Sequence, residues 1–340
     1  MADPKNIEIT PDELKKSFIT YRKDILQMPI LALEEVTKYM QLRQGVRYAE
    51  EVGELAGAFE IGPFSYTRID DEQVKIVGRK LETFLGSGVK EFNPISVVQS
   101  IYGSAVVQGE ALKNTPITKL VAMYLFKLLG EAFRNSIFTA KRNDAGKTTA
   151  ELYNGFKTIA DAEAKAGNLA TAKGNLFKTT VMTAENAVDV IEQFIDAADE
   201  KLRGEDTILF CNKKSKTLYE RAYRNTYGHL NYNKEFNKTY IDGDQKCEIV
   251  GLSCVPDGFK LITPKKNMLV GIATSGEKCN FEIEKSLRSH FLLDFVATMF
   301  FGCQFESISK ERILVGYGGC VISLWRTLFY IIYCIILEVS

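Results

Sequence analysis

The sequence holds only two histidines, His229 and His290, no Cys-x-x-Cys pair and no excess of either charge. Each shortage removes a class of function. Lysine plus arginine equals aspartate plus glutamate at 43 each, whereas a dedicated nucleic-acid binder carries a basic surplus that neutralises phosphates and releases counterions. Tight binding of DNA or RNA by the whole chain is therefore not expected, although loose contact with DNA stays open. Two histidines make a Cys/His zinc cluster improbable. The seven cysteines, Cys211, Cys247, Cys254, Cys279, Cys303, Cys320 and Cys334, are scattered and odd in number. That pattern argues for free thiols in a reducing compartment rather than a disulfide framework. Residues 1–6 lack an apolar signal core, so nothing at this end sends the chain out of the cell.

Catalytic signatures are missing as well. There is no G-x-S-x-G, no H-E-x-x-H and no glycine-rich dinucleotide fingerprint. Each histidine lacks the activated nucleophile or paired carboxylate that a general base requires, and both read as structural. Gly146-Lys147-Thr148 resembles the end of a phosphate-binding loop, but the glycine needed five residues earlier is Lys141, and no buried strand precedes it. Asn237-Lys238-Thr239 matches a glycosylation acceptor that stays idle without secretion. No catalytic residue, cofactor site or metal site is expected.

What the chain has is ordinary globular material. Apolar residues make up 46% of its 340 positions, enough for one large or two modest domains. Thr10-Pro11-Asp12-Glu13 is a helix start, with a threonine cap, proline at the first helical position and glutamate three residues after the cap. One or two amphipathic helices follow and end before Gly45. Over residues 54–85, glycines and Pro63 exclude a long helix while Phe64, Tyr66, Val74, Ile76 and Val77 favour extended chain. The reading is a long two-stranded hairpin that turns near Asp70-Asp71, with too little apolar surface to stand alone.

A short helix over 94–107 precedes the strongest one, 116–138. There Thr115 caps, Pro116 opens, and Ile117, Leu120, Val121, Tyr124, Leu125, Leu128, Ala132 and Phe133 form a wide apolar stripe. Residues 139–178, poor in large apolar groups, read as irregular and as a plausible boundary between subdomains. An amphipathic helix over 183–202 follows, with Val188, Ile191, Phe194 and Ile195 inward. Thr207–Phe210 then reads as a buried strand, and residues 213–227 as a basic surface helix carrying Lys213, Lys214, Lys216, Arg221 and Arg224. That basic face is either simply solvated or meets an acidic neighbour or DNA. Strands over 246–252, 260–263, 268–273 and 290–303 complete a mixed α+β chain with no internal repeat and no heptad run.

The order of segments resembles the major capsid proteins of tailed phages, the Hong Kong 97-type capsid fold. Residues 74–94, with Gly-Arg-Lys-Leu-Glu inside and Glu-Phe-Asn-Pro closing, are similar to the extended loop that leads to the spine helix. Residues 207–219, TILFCNKKSKTLY, resemble an apical-domain strand and helix; 249–267, IVGLSCVPDGFKLITPKKN, resemble that domain's strand and turn. Residues 268–316 look like the return through the peripheral domain. The resemblance covers residues 45–316. It implies an N-terminal helical arm over 1–50, an extended hairpin loop over 51–93, and the spine helix with the first part of the peripheral domain over 94–180. It further implies an apical domain over 181–275, a peripheral return over 276–317 and an apolar tail over 318–340.

By that resemblance the chain is a structural protein, not an enzyme. It would assemble with itself as pentamers and hexamers into an icosahedral shell enclosing double-stranded DNA. Portal, scaffold or maturation protease would be its further partners, and its place the virion capsid, after synthesis in the bacterial host cytoplasm. Some family members cross-link a lysine to an asparagine, and no motif here singles out such a pair. The tail, CVISLWRTLFYIIYCIILEVS, departs from the pattern. It has the length of a membrane span but places Arg326 inside it, and reads as a weak anchor, a buried segment or a run-on of the reading frame. A membrane partner is not expected. The competing functions are an encapsulin-like nanocompartment shell on the same fold, a membrane-tethered soluble domain, and an enzyme of unrecognised type.

Overall fold

The computed structural model describes residues 36–56, 75–93, 117–228, 239–241, 244–273, 281–286, 288 and 292–318. The N-terminal arm to residue 35, the hairpin turn, the 94–107 helix, both histidines and the apolar tail lie outside the described residues. In chain order the elements are β1 (Gln41–Gln44), β2 (Ala49–Ala56), β3 (Lys75–Glu82), β4 (Phe84–Phe92), α1 (Ile117–Ser136), α2 (Phe156–Lys165), β5 (Leu176–Thr179), α3 (Ala187–Asp196) and α4 (Glu200–Gly204). They continue with β6 (Thr207–Asn212), α5 (Lys213–Tyr227), β7 (Thr239–Ile241), β8 (Asp244–Leu252), β9 (Phe259–Pro264), β10 (Met268–Ala273), β11 (Phe281–Lys285), β12 (Leu293–Phe305) and β13 (Leu314–Gly318). The class is mixed helix and sheet. Two compact units form, Met1–Phe156 with Leu269–Glu306 and Lys157–Met268 with Ser307–Ser340.

The first unit is organised by β12. This strand pairs antiparallel with β4, from Leu293 opposite Phe92 to Phe301 opposite Phe84, and with β11 over Leu293 to Ala297. β10 neighbours β12, and β1 pairs parallel with β10. α1 packs on this sheet through aromatic rings. Phe126 meets Phe295 edge-on with centroids 5.4 Å apart, and Phe133 meets Phe301 at 4.3 Å. Seven residues make nearly two helical turns, and an even spacing keeps two side chains on one face of a strand, so both pairs form together. Tyr153 adds a third ring on Phe301 at 4.6 Å, and its hydroxyl hydrogen-bonds Ser136 at 2.9 Å.

α1 is one continuous helix, as its sequence predicts, and its buried face overlaps the predicted stripe only in part, keeping Phe133 and adding Phe126. Tyr124 is 62% exposed and Leu128 41%, whereas Phe126, Phe133 and Ile137 are at or below 1%. From Tyr124 to Leu129 the helix carries apolar side chains nearly all round. Periodicity cannot choose a face there; the rings waiting on β12 choose it.

β2 and β3 form the expected antiparallel hairpin, from Ala49 opposite Glu82 to Ala56 opposite Lys75. The hairpin base comes very close to β12: a side chain at Gly302 would place its Cβ 2.0 Å from the Glu82 carbonyl oxygen. Only glycine fits there.

The second unit is built on a sheet of order β5-β13-β9-β6-β8-β7. β6 and β8 are parallel, as are β5 and β13, and the other pairs are antiparallel. α3 and α5 share one buried cluster with a single face of that sheet, in which Ile191, Phe194, Tyr219 and Tyr223 meet Leu209, Ile249, Ile262 and Leu314. Asn212 caps α5 by accepting from the Lys214 amide at 2.9 Å, while its side-chain amide donates to the Val255 carbonyl at 2.7 Å. The Pro256-Asp257-Gly258 turn is present, with Gly258 at φ +77°.

Two expectations need correction. The single helix over 183–202 is two, because Asp199 leaves the helical conformation at ψ 144° and recaps the chain by accepting from the Lys201 amide. The irregular stretch 139–178 contains the ten-residue helix α2. Phe156 and Ala160 are fully buried and anchor it, and Lys157 pairs with Asp161 four residues on at 2.6 Å.

Phe133→Ala should cost about 3–5 kcal/mol by removing a fully buried ring, whereas Tyr124→Ala should stay within about 0.5 kcal/mol. Urea unfolding of the two variants checks the assignment. Equal losses would mean that α1 buries the face its sequence pattern predicts.

Candidate assembly surface

The described part of the hairpin turns few side chains inward. Val52 and Leu81 join Val46 and Leu269 in a small cluster, while Glu51, Gly53, Gly78, Lys80 and Glu82 are exposed. Its base is fastened to the end of β12. The Arg79 guanidinium donates to the Phe305 carbonyl and the Gln304 side chain, both at 3.1 Å, and the Gln304 amide donates back to the Lys80 carbonyl at 3.0 Å. Large apolar groups are exposed close by in the sequence and on α1: Tyr48, Leu85, Val89, Tyr124 and Leu128.

The Gly146-Lys147-Thr148 stretch has a definite structure, and it is not a phosphate cradle. It borders a cleft of about 370 Å³ between β4, α1 and residues 142–152. The amides of Lys147 and Thr148 donate to the Glu151 carboxylate at 3.1 and 3.2 Å, and the Thr148 hydroxyl donates at 2.7 Å. Glu151 thus occupies the position an anion would take. Thr148-x-x-Glu151 is a capping box, a signal legible in the sequence that was passed over beside the more conspicuous glycine–lysine pair. The Thr148 hydroxyl first, then the amides and Asn143, hold the Glu151 carboxyl below its usual range.

On α5, Lys213, Lys214, Arg221 and Arg224 are exposed as expected. Lys216 differs: it is partly covered and lies 3.8 Å from Glu220, which also accepts from the Thr239 hydroxyl at 2.9 Å. Cys211, Cys247, Cys254 and Cys303 are buried free thiols, and burial pushes Cys211 up to about 12. Lys260, which the sequence reading overlooked between Phe259 and Leu261, is only 2% exposed; its ammonium donates to the Thr179 hydroxyl at 3.2 Å. Burial lowers its pKa. Among the described residues no group of His, Cys, Asp or Glu side chains is placed to hold a metal ion, and no helix is long and apolar enough to cross a membrane.

No family model matches the sequence, and no curated protein does either. Solved structures do. A chain of the satellite phage P4 procapsid covers 88% of this chain and 98% of its own length at 10% identity, with a TM-score of 0.53. The native GTA particle capsid follows at 12% identity, 85% and 90% coverage and a TM-score of 0.52. The cyanophage A-1(L) capsid matches at 13%, with 86% and 92% coverage and a TM-score of 0.52. The chain has the fold of phage capsid proteins.

Two titrations test this chemistry. The Lys147 and Thr148 amide resonances should shift with acid at a midpoint below the usual glutamate range, because the folded state favours the Glu151 carboxylate. That contribution to stability is present above the unfolded pKa and lost as pH falls through the folded one. Glu151→Gln should abolish the shift. Lys260 has the opposite consequence. Its depressed pKa means that the cost of burying the charge is complete below the folded value and fades as pH rises towards the ordinary lysine range, about 10.4. Lys260→Met should therefore gain in stability on the parent chain at neutral pH, with the gap closing in alkali.

Proposed function

We propose that this chain is the major capsid protein of a tailed phage or prophage, a structural subunit that assembles with itself into an icosahedral shell enclosing double-stranded DNA. The observation that carries the reading is the shared fold over 85–88% of this chain and 90–98% of the capsid chains it matches.

In this reading α1 is the spine helix. Residues 51–93 are the extended loop, residues 94–180 and 276–317 belong with the peripheral domain, and residues 181–275 form the apical domain. Portal, scaffold or maturation protease are the expected companions, and the packaged DNA touches the inner wall loosely, consistent with a net charge of zero.

Expression of the full chain followed by size-exclusion chromatography and electron microscopy tests the proposal. Closed particles are the expected product. Monomers or small oligomers across salt and concentration would overturn it. Deleting residues 320–340 should improve solubility and leave particle formation intact; particles lost on deletion would assign the tail to assembly. Membrane association that depends on the tail, with no particles from either form, would favour a tethered domain.

A further inference from the structure

Residues 187–204 carry the pattern of one helix and the structure of two. Val188, Ile191, Ile195, Ala198 and Leu202 follow spacings of three and four, and on a single helix they fall within about 80° of arc. All five are buried in one cluster, on both sides of the break at Asp199. Sharp breaks in helices normally occur at proline or glycine. Neither lies between Ala187 and Arg203, and Ala197, Ala198 and Glu200 are good helix formers. A five-residue helix such as α4 is marginal by itself. The local sequence therefore favours continuity, and the break is held from outside.

Three consecutive residues of the link between β12 and β13 hold it. Lys310 donates to the Asp199 carboxylate at 2.9 Å, and Glu311 accepts from Lys201 at 2.6 Å. Arg312 grips both oxygens of Glu205 at 3.0 and 2.8 Å. Arg203 also reaches back across the break to Asp196 at 3.4 Å. The Lys310 hydrogen bond first, and the Lys201 amide second, keep the Asp199 carboxyl below its usual range. Exposed ion pairs are weak one at a time. Here they act as a set, Lys-Glu-Arg on the link against Asp199, Lys201 and Glu205. Beyond α4, Gly204, Glu205 and Asp206 are exposed and give the chain slack before β6.

We propose that residues 187–204 form a two-state helix, broken while residues 310–312 clasp α4 and continuous once they let go. Release frees the amides of Asp199 and Glu200 to bond the Ile195 and Asp196 carbonyls, as in any uninterrupted helix. The apolar stripe keeps one face towards the sheet in both forms. Burial thus sets little preference between them, and a few surface pairs suffice to tip the balance. A subunit that fits both pentamers and hexamers needs such a choice of shapes. That setting rests on the shell-forming reading, whereas the switch itself does not.

Three variants of the full chain decide it beside the parent. Asp199→Ala removes the cap, and Lys310→Ala with Glu311→Ala and Arg312→Ala removes the clasp. The third adds Glu200→Pro to the clasp variant. Proline suits the first position of α4, where the preceding backbone is already extended, but it cannot sit inside a continuous helix. Circular dichroism and urea unfolding check that each variant folds. Amide hydrogen exchange at positions 199 and 200, read by fragmentation mass spectrometry against the intrinsic rates, reports the break. Exchange in the parent should be fast. Removing the cap or the clasp should raise protection about tenfold or more, and Glu200→Pro should return position 199 to fast exchange. Unchanged protection without the clasp overturns the switch, and so does a parent already protected at both positions. Loss of cooperative unfolding in every variant would make the break a requirement of the fold and overturn it as well. Particles are scored separately by electron microscopy. Particles without the exchange response sink the switch alone, and the response without particles sinks the capsid reading alone.

Discussion

The first unit depends on the contact between α1 and β12. Phe126 and Phe133 reach one face of the strand and stack on Phe295 and Phe301, while the edges of the same strand bind β4, β11 and β10. Helix and sheet each hide the face that neither could bury alone. The Arg79–Gln304 hydrogen bonds and the bare Cα of Gly302 then fix the root of the hairpin on the far end of that strand. An error in the register of β12 would therefore displace the helix and the hairpin together.

The sequence made the types of element legible wherever the local pattern was unambiguous. The alternation and β-branched residues around the hairpin, the proline and glycine punctuation near Pro256, and the apolar positions of α3 led to the elements observed. It misled where two structures satisfy the same pattern. A helix apolar nearly all round does not reveal its buried side, and Asp199 can be read equally as a surface residue within a helix or as the cap of a new one. α2 was missed because its buried residues, Phe156 and Ala160, are few in a stretch otherwise poor in large apolar groups.

The assembly surface was less legible than the fold. The hairpin was visible because its composition could not support a core. The Glu151 capping box was visible in principle, as a threonine followed three residues later by glutamate. Lys260 gave no signal, since a lysine inside a strand pattern ordinarily marks the solvent side.

The pairing of β4 with β12 has a consequence for the birth of the molecule. Phe84 and Phe301 are neighbours in the sheet although 217 positions separate them (301 − 84). At a synthesis rate of about 5–20 residues per second, β4 leaves the ribosome roughly 10–40 s before its partner exists. Throughout that interval an unsatisfied strand edge, flanked by Leu85 and Val89, is open to other nascent chains. Contacts this distant also slow folding once synthesis ends, because the loop must close before any bond rewards it. High expression of this chain therefore sets up a race between translation and aggregation, and fewer nascent chains at one time or a holding chaperone should shift the outcome towards soluble protein.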